Sequence, residues 1–297
     1  MTTFTAAYTL RRPQVVGPLA VFPVFGPQPK LAYRSLSAAI GQGVIVKEVD
    51  GGADVRQVII DNKSEMPILV YEGEQISGAQ QNRAFDSSVL VPARSSIPVP
   101  VSCIERGRWD HSRNVEHFTV SPHAADPAMR AIRREQANEP EGTGRPDQDL
   151  VWSEVDARLS AFEVASSTDS LEDLFAAQAD RLEEIKPAVL PVPGQLGALV
   201  EISGRPVALD LVSRPEVFTQ LAPGLTSGYA LQAVKARPGH PDDEKAQRFL
   251  AKALETGREE LPNYGLGHAF AISRKRVVGA GLEYDGETIA LSVFRRL

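Results

Sequence analysis

Short apolar runs divided by turn residues fill the first third of the chain. Leu19-Ala-Val-Phe-Pro-Val-Phe, Val44-Ile-Val-Lys-Glu-Val and Val55-Arg-Gln-Val-Ile-Ile are the first three. Pro67-Ile-Leu-Val-Tyr-Glu, Ser88-Val-Leu-Val-Pro and Ile97-Pro-Val-Pro-Val-Ser-Cys-Ile come next. Each is too short for a stable helix and rich in the β-branched residues that suit a pleated surface, so each predicts a strand. Asp50-Gly51-Gly52 and Asp61 to Ser64 supply turns. Tyr33 to Ile40 predicts a short helix closed by Gly41 and Gly43. Strands at this spacing favour a sandwich or barrel-like sheet over a βαβ series. Pro98 and Pro100 lack ladder donors, which places their run at an edge or a bulge.

The pattern then changes period. Asp126 to Gln136 predicts a helix, and the Pro-, Gly- and Glu-rich stretch 138–149 a loop, with Asp147 or Asp149 capping the next helix. Leu150, Val151, Val155, Leu159 and Phe162 recur every three to four residues and mark that helix as amphipathic. A further helix starts at a Thr168 or Asp169 cap, carries Leu171, Leu174, Phe175, Leu182 and Ile185 on one face, and ends at Pro187. Beyond it, Ala198–Ile202 and Pro206–Val212 flank Ser203-Gly204-Arg205 as a hairpin. Pro215 to Val234 is helical with a break or kink at Pro223-Gly224, and Asp242 to Thr256 is a charged helix. His268–Ile272, Val277–Glu283 and Thr288–Phe294 form a three-strand meander. The fold class is therefore α+β. A β-rich portion spans residues 1–125, a helical segment 126–190 and an α+β portion 191–297, and the strand-rich ends can share one sheet system.

Composition narrows the function. Hydrophobic residues are 42% and charged residues 24% of 297, the balance of a globular chain, and this excludes a disordered polymer. Lys+Arg 32 against Asp+Glu 38 gives a net charge of -6, so there is no global attraction for nucleic acid or anionic lipid. With one cysteine, Cys103, no intramolecular disulfide forms. No apolar run is long enough to cross a bilayer, and the N-terminus lacks the basic and apolar regions of a signal peptide. These features lead to the expectation of a cytoplasmic protein with no membrane partner.

Polar chemistry gathers at the ends of two apolar strands. Tyr71 to Arg83 holds Glu72, Glu74, Gln81, Asn82 and Arg83. As a plain loop it is solvated. As a site, Glu72 and Glu74 share a face if the strand continues, and the Arg83 fork suits phosphate or carboxylate. Ser102 to His111 holds Cys103, Glu105, Arg108 and Trp109. There Arg108 and Trp109 can sandwich a flat ring, or Trp109 can plug the core while Arg108 pairs with Glu72 or Glu105. Cys103 on an apolar strand reads more simply as a small buried side chain than as a nucleophile. His111, His117 and His123 stand six residues apart, about 20 Å along a strand, too far to share a metal unless the chain folds back. No metal is assigned, and no phosphate-binding glycine motif is present.

Taken in order, several segments resemble a known family: Gly17-Pro-Leu-Ala-Val-Phe-Pro, Leu69-Val-Tyr-Glu-Gly-Glu, Gly78-Ala-Gln-Gln-Asn-Arg, Ser102-Cys-Ile-Glu-Arg-Gly-Arg-Trp and Leu291-Ser-Val-Phe, with Val151-Trp152, Asp210 and Tyr229 between them. The chain is similar over residues 14–294 to the ARG and Rhodanese-Phosphatase-superfamily-associated protein domain. That family is named for genomic company with ADP-ribosylglycohydrolases and rhodanese-like phosphatases. The resemblance implies a place in ADP-ribose, NAD or RNA-end metabolism and names no cofactor. It implies Glu72, Glu74, Gln81, Asn82, Arg83, Cys103, Glu105, Arg108 and Trp109 as site candidates.

Two functions are open to such a set. In one, Arg83 and Arg108 hold the phosphates of an ADP-ribose-like or other nucleotide derivative, with Gln81, Asn82 and Cys103 beside them. Trp109 stacks the base, and Glu72, Glu74 or Glu105 is the acid or base of a hydrolysis. In the other, the chain is a non-enzymatic structural or partner-binding module, and the same residues form an internal polar network.

Overall fold

The computed structural model describes residues 7–28, 30–49, 56–108, 117–139, 144–255 and 257–296. Its strands are β1 (Thr9–Leu10), β2 (Gln14–Val16), β3 (Leu19–Phe25), β4 (Arg34–Ser35), β5 (Val44–Lys47), β6 (Gln57–Asn62), β7 (Ile68–Val70), β8 (Glu74–Gly78), β9 (Arg83–Phe85), β10 (Val89–Val91), β11 (Ser95–Cys103), β12 (Phe118–Ala124), β13 (Gly197–Ile202), β14 (Arg205–Val212), β15 (Arg258–Leu261), β16 (His268–Ser273), β17 (Val277–Tyr284) and β18 (Glu287–Arg295). The helices are α1 (Leu36–Ala39), α2 (Pro127–Ala137), α3 (Gln148–Ala161), α4 (Leu171–Ala177), α5 (Ala179–Ile185), α6 (Pro215–Ala233) and α7 (Asp243–Glu255). The class is α+β. The turn at Asp50-Gly51-Gly52 lies outside the described residues.

The two ends of the chain build one large antiparallel sheet. Its order is β1-β3-β13-β14-β18-β17-β16-β15, with β2 also on β3. Leu19 to Phe25 reads as a continuous apolar run because the strand is covered on both sides. Leu19 and Val21 face α6 through Phe218, Leu221 and Tyr229, whereas Ala20, Phe22 and Val24 face α7 through Phe249 and Leu250. The β13–β14 hairpin turns at Ser203 and Gly204, both at positive φ (53° and 69°), the conformation a two-residue hairpin turn requires. The expected meander is β16–β17–β18, and β15 extends it. Arg-Glu-Glu-Leu, the sequence of β15, has no apolar alternation because it is an exposed edge.

The remaining strands form a six-stranded sheet, β12-β8-β9-β11-β6-β5, and a small one, β10-β7-β4. An antiparallel bridge between Lys47 and His117 joins the two outer strands of the six, so this sheet curls towards a barrel around Val58, Ile60, Ile76 and Phe85. Within β11, residues 95–100 pair with β6 and 101–103 with β9. The Asp86 N–H donates to the Pro100 carbonyl at 3.2 Å, so the proline side of the strand faces away from the β6 ladder and costs it no bond.

Three expectations about helices are corrected. The cap after residue 165 is Ser170, whose hydroxyl accepts from the Glu172 N–H at 3.3 Å. Thr168 instead donates to Glu105, and Asp169 sits at φ 49° beside Arg106. The helix expected to run on to Pro187 divides at Gln178 into α4 and α5. Lastly, α6 is continuous through Pro223, so of the break or kink expected there the break is absent. Its packing outweighs the lost hydrogen bond: a Cβ on Gly228 would stand 2.7 Å from the Ala124 carbonyl, so the bare glycine lets the helix lie directly against the end of β12.

Candidate functional site

Gln81–Arg83 and Cys103–Arg108 meet because β9 and β11 pair, with Arg83 opposite Cys103. Gln81 Oε1 accepts from Arg83 Nη1 and from Cys103 Sγ, each at 3.0 Å. Cys103 Sγ also lies 3.0 Å from the Glu105 carbonyl. Asn82 donates its N–H to Glu105 Oε2 at 3.1 Å, and its side-chain oxygen accepts from Arg108 Nη2 at 3.0 Å. Arg108 closes the loop on Glu105 Oε2 at 2.6 Å and on the Ala79 carbonyl at 3.2 Å. Thr168 satisfies the other oxygen of Glu105 at 2.9 Å. Burial alone would raise the Glu105 carboxyl, but the bonds from Arg108, the Asn82 N–H and Thr168 outweigh it and hold the carboxyl below its ordinary range. Burial pushes the Cys103 thiol up, away from the thiolate a nucleophile needs.

The cluster is interior apart from Arg108, which is half-buried. Arg83 is 0% exposed, and Gln81, Asn82, Cys103 and Glu105 are buried. Arg83 Nε and Nη2 make no hydrogen bond to the described residues, and Glu48 at 3.6 Å supplies counter-charge. A residue outside the sequence-derived set completes the arrangement. The Gln148 carboxamide at the start of α3 accepts from the Cys103 N–H and donates to the Cys103 carbonyl, both at 2.9 Å, as a neighbouring strand would. Trp109 lies outside the described residues, as do His111, Asp110 and Glu116.

Glu72 and Glu74 do not share partners. Gly73 stands at φ 85° between them, so the strand does not continue through both. Glu72 turns inward, where Ser292 and Arg134 donate to it, the latter at 3.3 Å. Helix α2 brings that arginine. Asp126 caps α2 on the Met129 N–H at 3.0 Å, and Arg130, Arg133 and Arg134 leave it into the interior. Arg133 binds Asp86 at 2.6 Å, beside Ser102 at 2.6 Å, while Arg134 also donates to the Asp86 carbonyl. Arg130 is bidentate on Asp210 at 2.7 and 3.0 Å. The same carboxylate accepts from Tyr71 at 2.9 Å and Tyr229 at 2.6 Å. Burial raises both phenols well above their ordinary value, and Asp210's charge adds to it; burial opposes the charge on Arg130, but Asp210 raises its pKa overall.

Gly73 is fitted against this pair. A Cβ there would lie 2.6 Å from Arg130 Nε, which has no room to yield while both its amino groups are bound. Gly73→Ala is expected to destabilise by at least about 2 kcal/mol, from left-handed backbone strain plus the displaced guanidinium. Urea unfolding measures this, and a midpoint equal to the parent's would contradict it.

Glu74 faces the other way, into an open groove of about 390 Å³ between β12 and the first half of α6, with His123 and Gln220 also on its walls. Its carboxylate accepts from the Tyr71 N–H at 2.7 Å, yet burial pushes its pKa up to about 7. His123 stacks on Phe175 at 4.3 Å, and burial, with Lys186 nearby, pushes it down to about 4. The imidazole is therefore neutral at pH 7, and its 4.0 Å approach to Glu172 is no ion pair there.

These two shifts have opposite consequences. Between about 4.5 and about 7, folded Glu74 keeps a proton that the unfolded chain has released, so its contribution to stability falls as pH rises through that window. Between 6.5 and about 4 the unfolded His123 is protonated and the folded one is not, so stability falls as pH drops through that range. Glu74→Gln keeps the neutral shape. Relative to the parent it is expected to gain on the order of 2 kcal/mol between about pH 5 and about pH 8. Denaturant unfolding at both pH values measures the difference, and a pH-independent offset would contradict it.

Among the described residues, no group of three His, Cys, Asp or Glu side chains is placed to hold a metal ion, and no helix is long and apolar enough to cross a membrane. The fold and interior define an α+β protein with two sheet systems held together by buried ion pairs. A family model, the ARG and Rhodanese-Phosphatase-superfamily-associated Protein domain, matches residues 7–294, and the chain belongs to that family. No curated protein and no solved structure matches it.

Proposed function

We propose that this chain is a non-enzymatic binding module in which the segments around Glu72, Gln81–Arg83 and Cys103–Arg108 are internal scaffold. The observation that supports this most is the closed circuit of Glu105, Asn82 and Arg108, in which each charged group already has its partner. A nucleotide site on Arg83 and Arg108 needs guanidinium groups that a visiting phosphate can reach, whereas Arg83 is fully buried and Arg108 is bonded to Glu105, Asn82 and the Ala79 carbonyl. A cytosolic setting belongs to the same proposal, supported by a lone thiol kept in the interior. The test is a double-mutant cycle on Glu105→Ala and Arg108→Ala. The reading expects each variant to lose about 2 kcal/mol and the pair to be coupled by at least about 1 kcal/mol. Two variants that melt like the parent would end it.

A second reading keeps catalysis but moves it to the groove. Glu74, poised near neutrality on a groove wall, has the properties of a general base for hydrolysing a nucleotide derivative such as an ADP-ribose-like compound. Turnover of such compounds that disappears in Glu74→Gln would favour it. Equal turnover in that variant, or none in the parent, would count against it.

A further inference from the structure

At the far side of the large sheet, α7 and the ends of β17 and β18 enclose a cleft of about 620 Å³. Lys245, Arg248 and Lys252 recur at helical spacing along the α7 wall. Lys275 and Arg276, in the turn before β17, and Arg295 and Arg296, at the end of β18, form the opposite wall. Among the described residues no Asp or Glu lines the cleft, and its floor is apolar, with Phe249 and Val277. Some of the cations are partly neutralised at its rim: Lys245 by Asp242 at 2.8 Å, Arg248 by Glu244 at 3.1 Å and Arg296 by Glu135 at 3.4 Å. The side chains of Lys275, Arg276 and Arg295 form no ion pair with the described residues and are exposed. Seven like charges held around one hollow repel one another, and a chain with net charge -6 has no general reason to gather them.

We propose that this cleft binds a small ligand carrying two or more linked phosphates, of the nucleoside di- or triphosphate class. Its volume lies within the range of small-molecule sites, roughly 300–1,000 Å³. Two facing cationic walls suit a short, dense anion, and the apolar floor accepts the uncharged part of such a ligand. A long polyanion is the poorer match, because it must also lie along the acidic remainder of the surface. The cleft shares no residue with the Gln81–Arg108 cluster. It therefore extends the binding-module reading without depending on the scaffold role given to that cluster.

Isothermal titration of the full chain with pyrophosphate and with ATP, at low and at physiological ionic strength, is the test. Saturable binding that weakens with salt is expected for both, with ATP the tighter. Lys275→Glu/Arg276→Glu, on an exposed turn, is expected to melt like the parent without ligand and to bind at least tenfold more weakly. Arg248→Glu on the opposite wall is a second variant, so that misfolding of the first decides nothing by itself. No saturable heat at millimolar ligand, or equal affinity in parent and folded variants, would overturn the proposal. So would tighter binding of duplex DNA or phosphatidylserine vesicles than of ATP. A silent titration removes this site and leaves the Glu105–Arg108 cycle to stand or fall by melting alone.

Discussion

Asp210→Ala is expected to cost about 4 kcal/mol, because it strips a buried arginine of the carboxylate that holds it. Asp210 and Arg130 are both 0% exposed in their side chains. Tyr71 and Tyr229 lose an acceptor in the same substitution, although Tyr71 also donates to the Leu291 carbonyl at 2.9 Å. The guanidinium then keeps the more distant charge of Glu72 and two aromatic faces, Phe294 at 4.6 Å and Tyr71 at 5.6 Å, and no hydrogen-bonded counter-ion. Asp210→Asn should fall between, since an amide still accepts from a phenol but offers no charge. Thermal melting reads both variants. A melting temperature within a degree or so of the parent for Asp210→Ala would mean that the carboxylate does not carry this junction.

Glu72→Ala is expected to lose about 3 kcal/mol, for the same reason at a second place. It leaves Arg134, 1% exposed in its side chain, with the Asp86 carbonyl as its remaining partner, and it unpairs the Ser292 hydroxyl. The outcome separates the two functions proposed from the sequence. A catalytic carboxylate is often held at a cost in stability, so its removal leaves the protein as stable or more so. A strut between the two sheet systems cannot be removed so freely. Denaturant unfolding of Glu72→Ala therefore distinguishes them by sign, and a stabilised variant would make Glu72 a functional acid again.

Much of the fold was legible because its signals are local. Strand runs such as Leu19–Phe25, the Ser203-Gly204 turn, the Asp147 cap and the closing meander each depend on a few neighbouring residues. The split at Gln178 and the unbroken α6 were not legible, because tertiary packing overrides local preference there. For the candidate cluster, adjacency in sequence pointed to polar groups at strand ends, and the β9–β11 pairing brings Gln81–Arg83 to Cys103–Glu105. Glu72 and Glu74 part company only because Gly73 adopts a positive φ, which composition does not announce. Of the missing half of the interior, Asp86 and the arginines of α2 look like ordinary surface charge on a loop and a helix. Asp210 within Ala-Leu-Asp-Leu-Val was the available clue: a carboxylate in an apolar strand implies a buried cation elsewhere.

The Gln81–Arg108 cluster is closed to solvent on this account, and the chain carries its own probe of closure in a single thiol at the cluster's centre. The measurement is the rate at which Cys103 reacts with a small thiol reagent in the native and the denatured protein. Closure predicts that the native thiol reacts only as fast as the protein opens, with one thiol per chain released on full unfolding. A native thiol that reacts at the denatured rate would show the cluster open to a visiting molecule and would contradict the account.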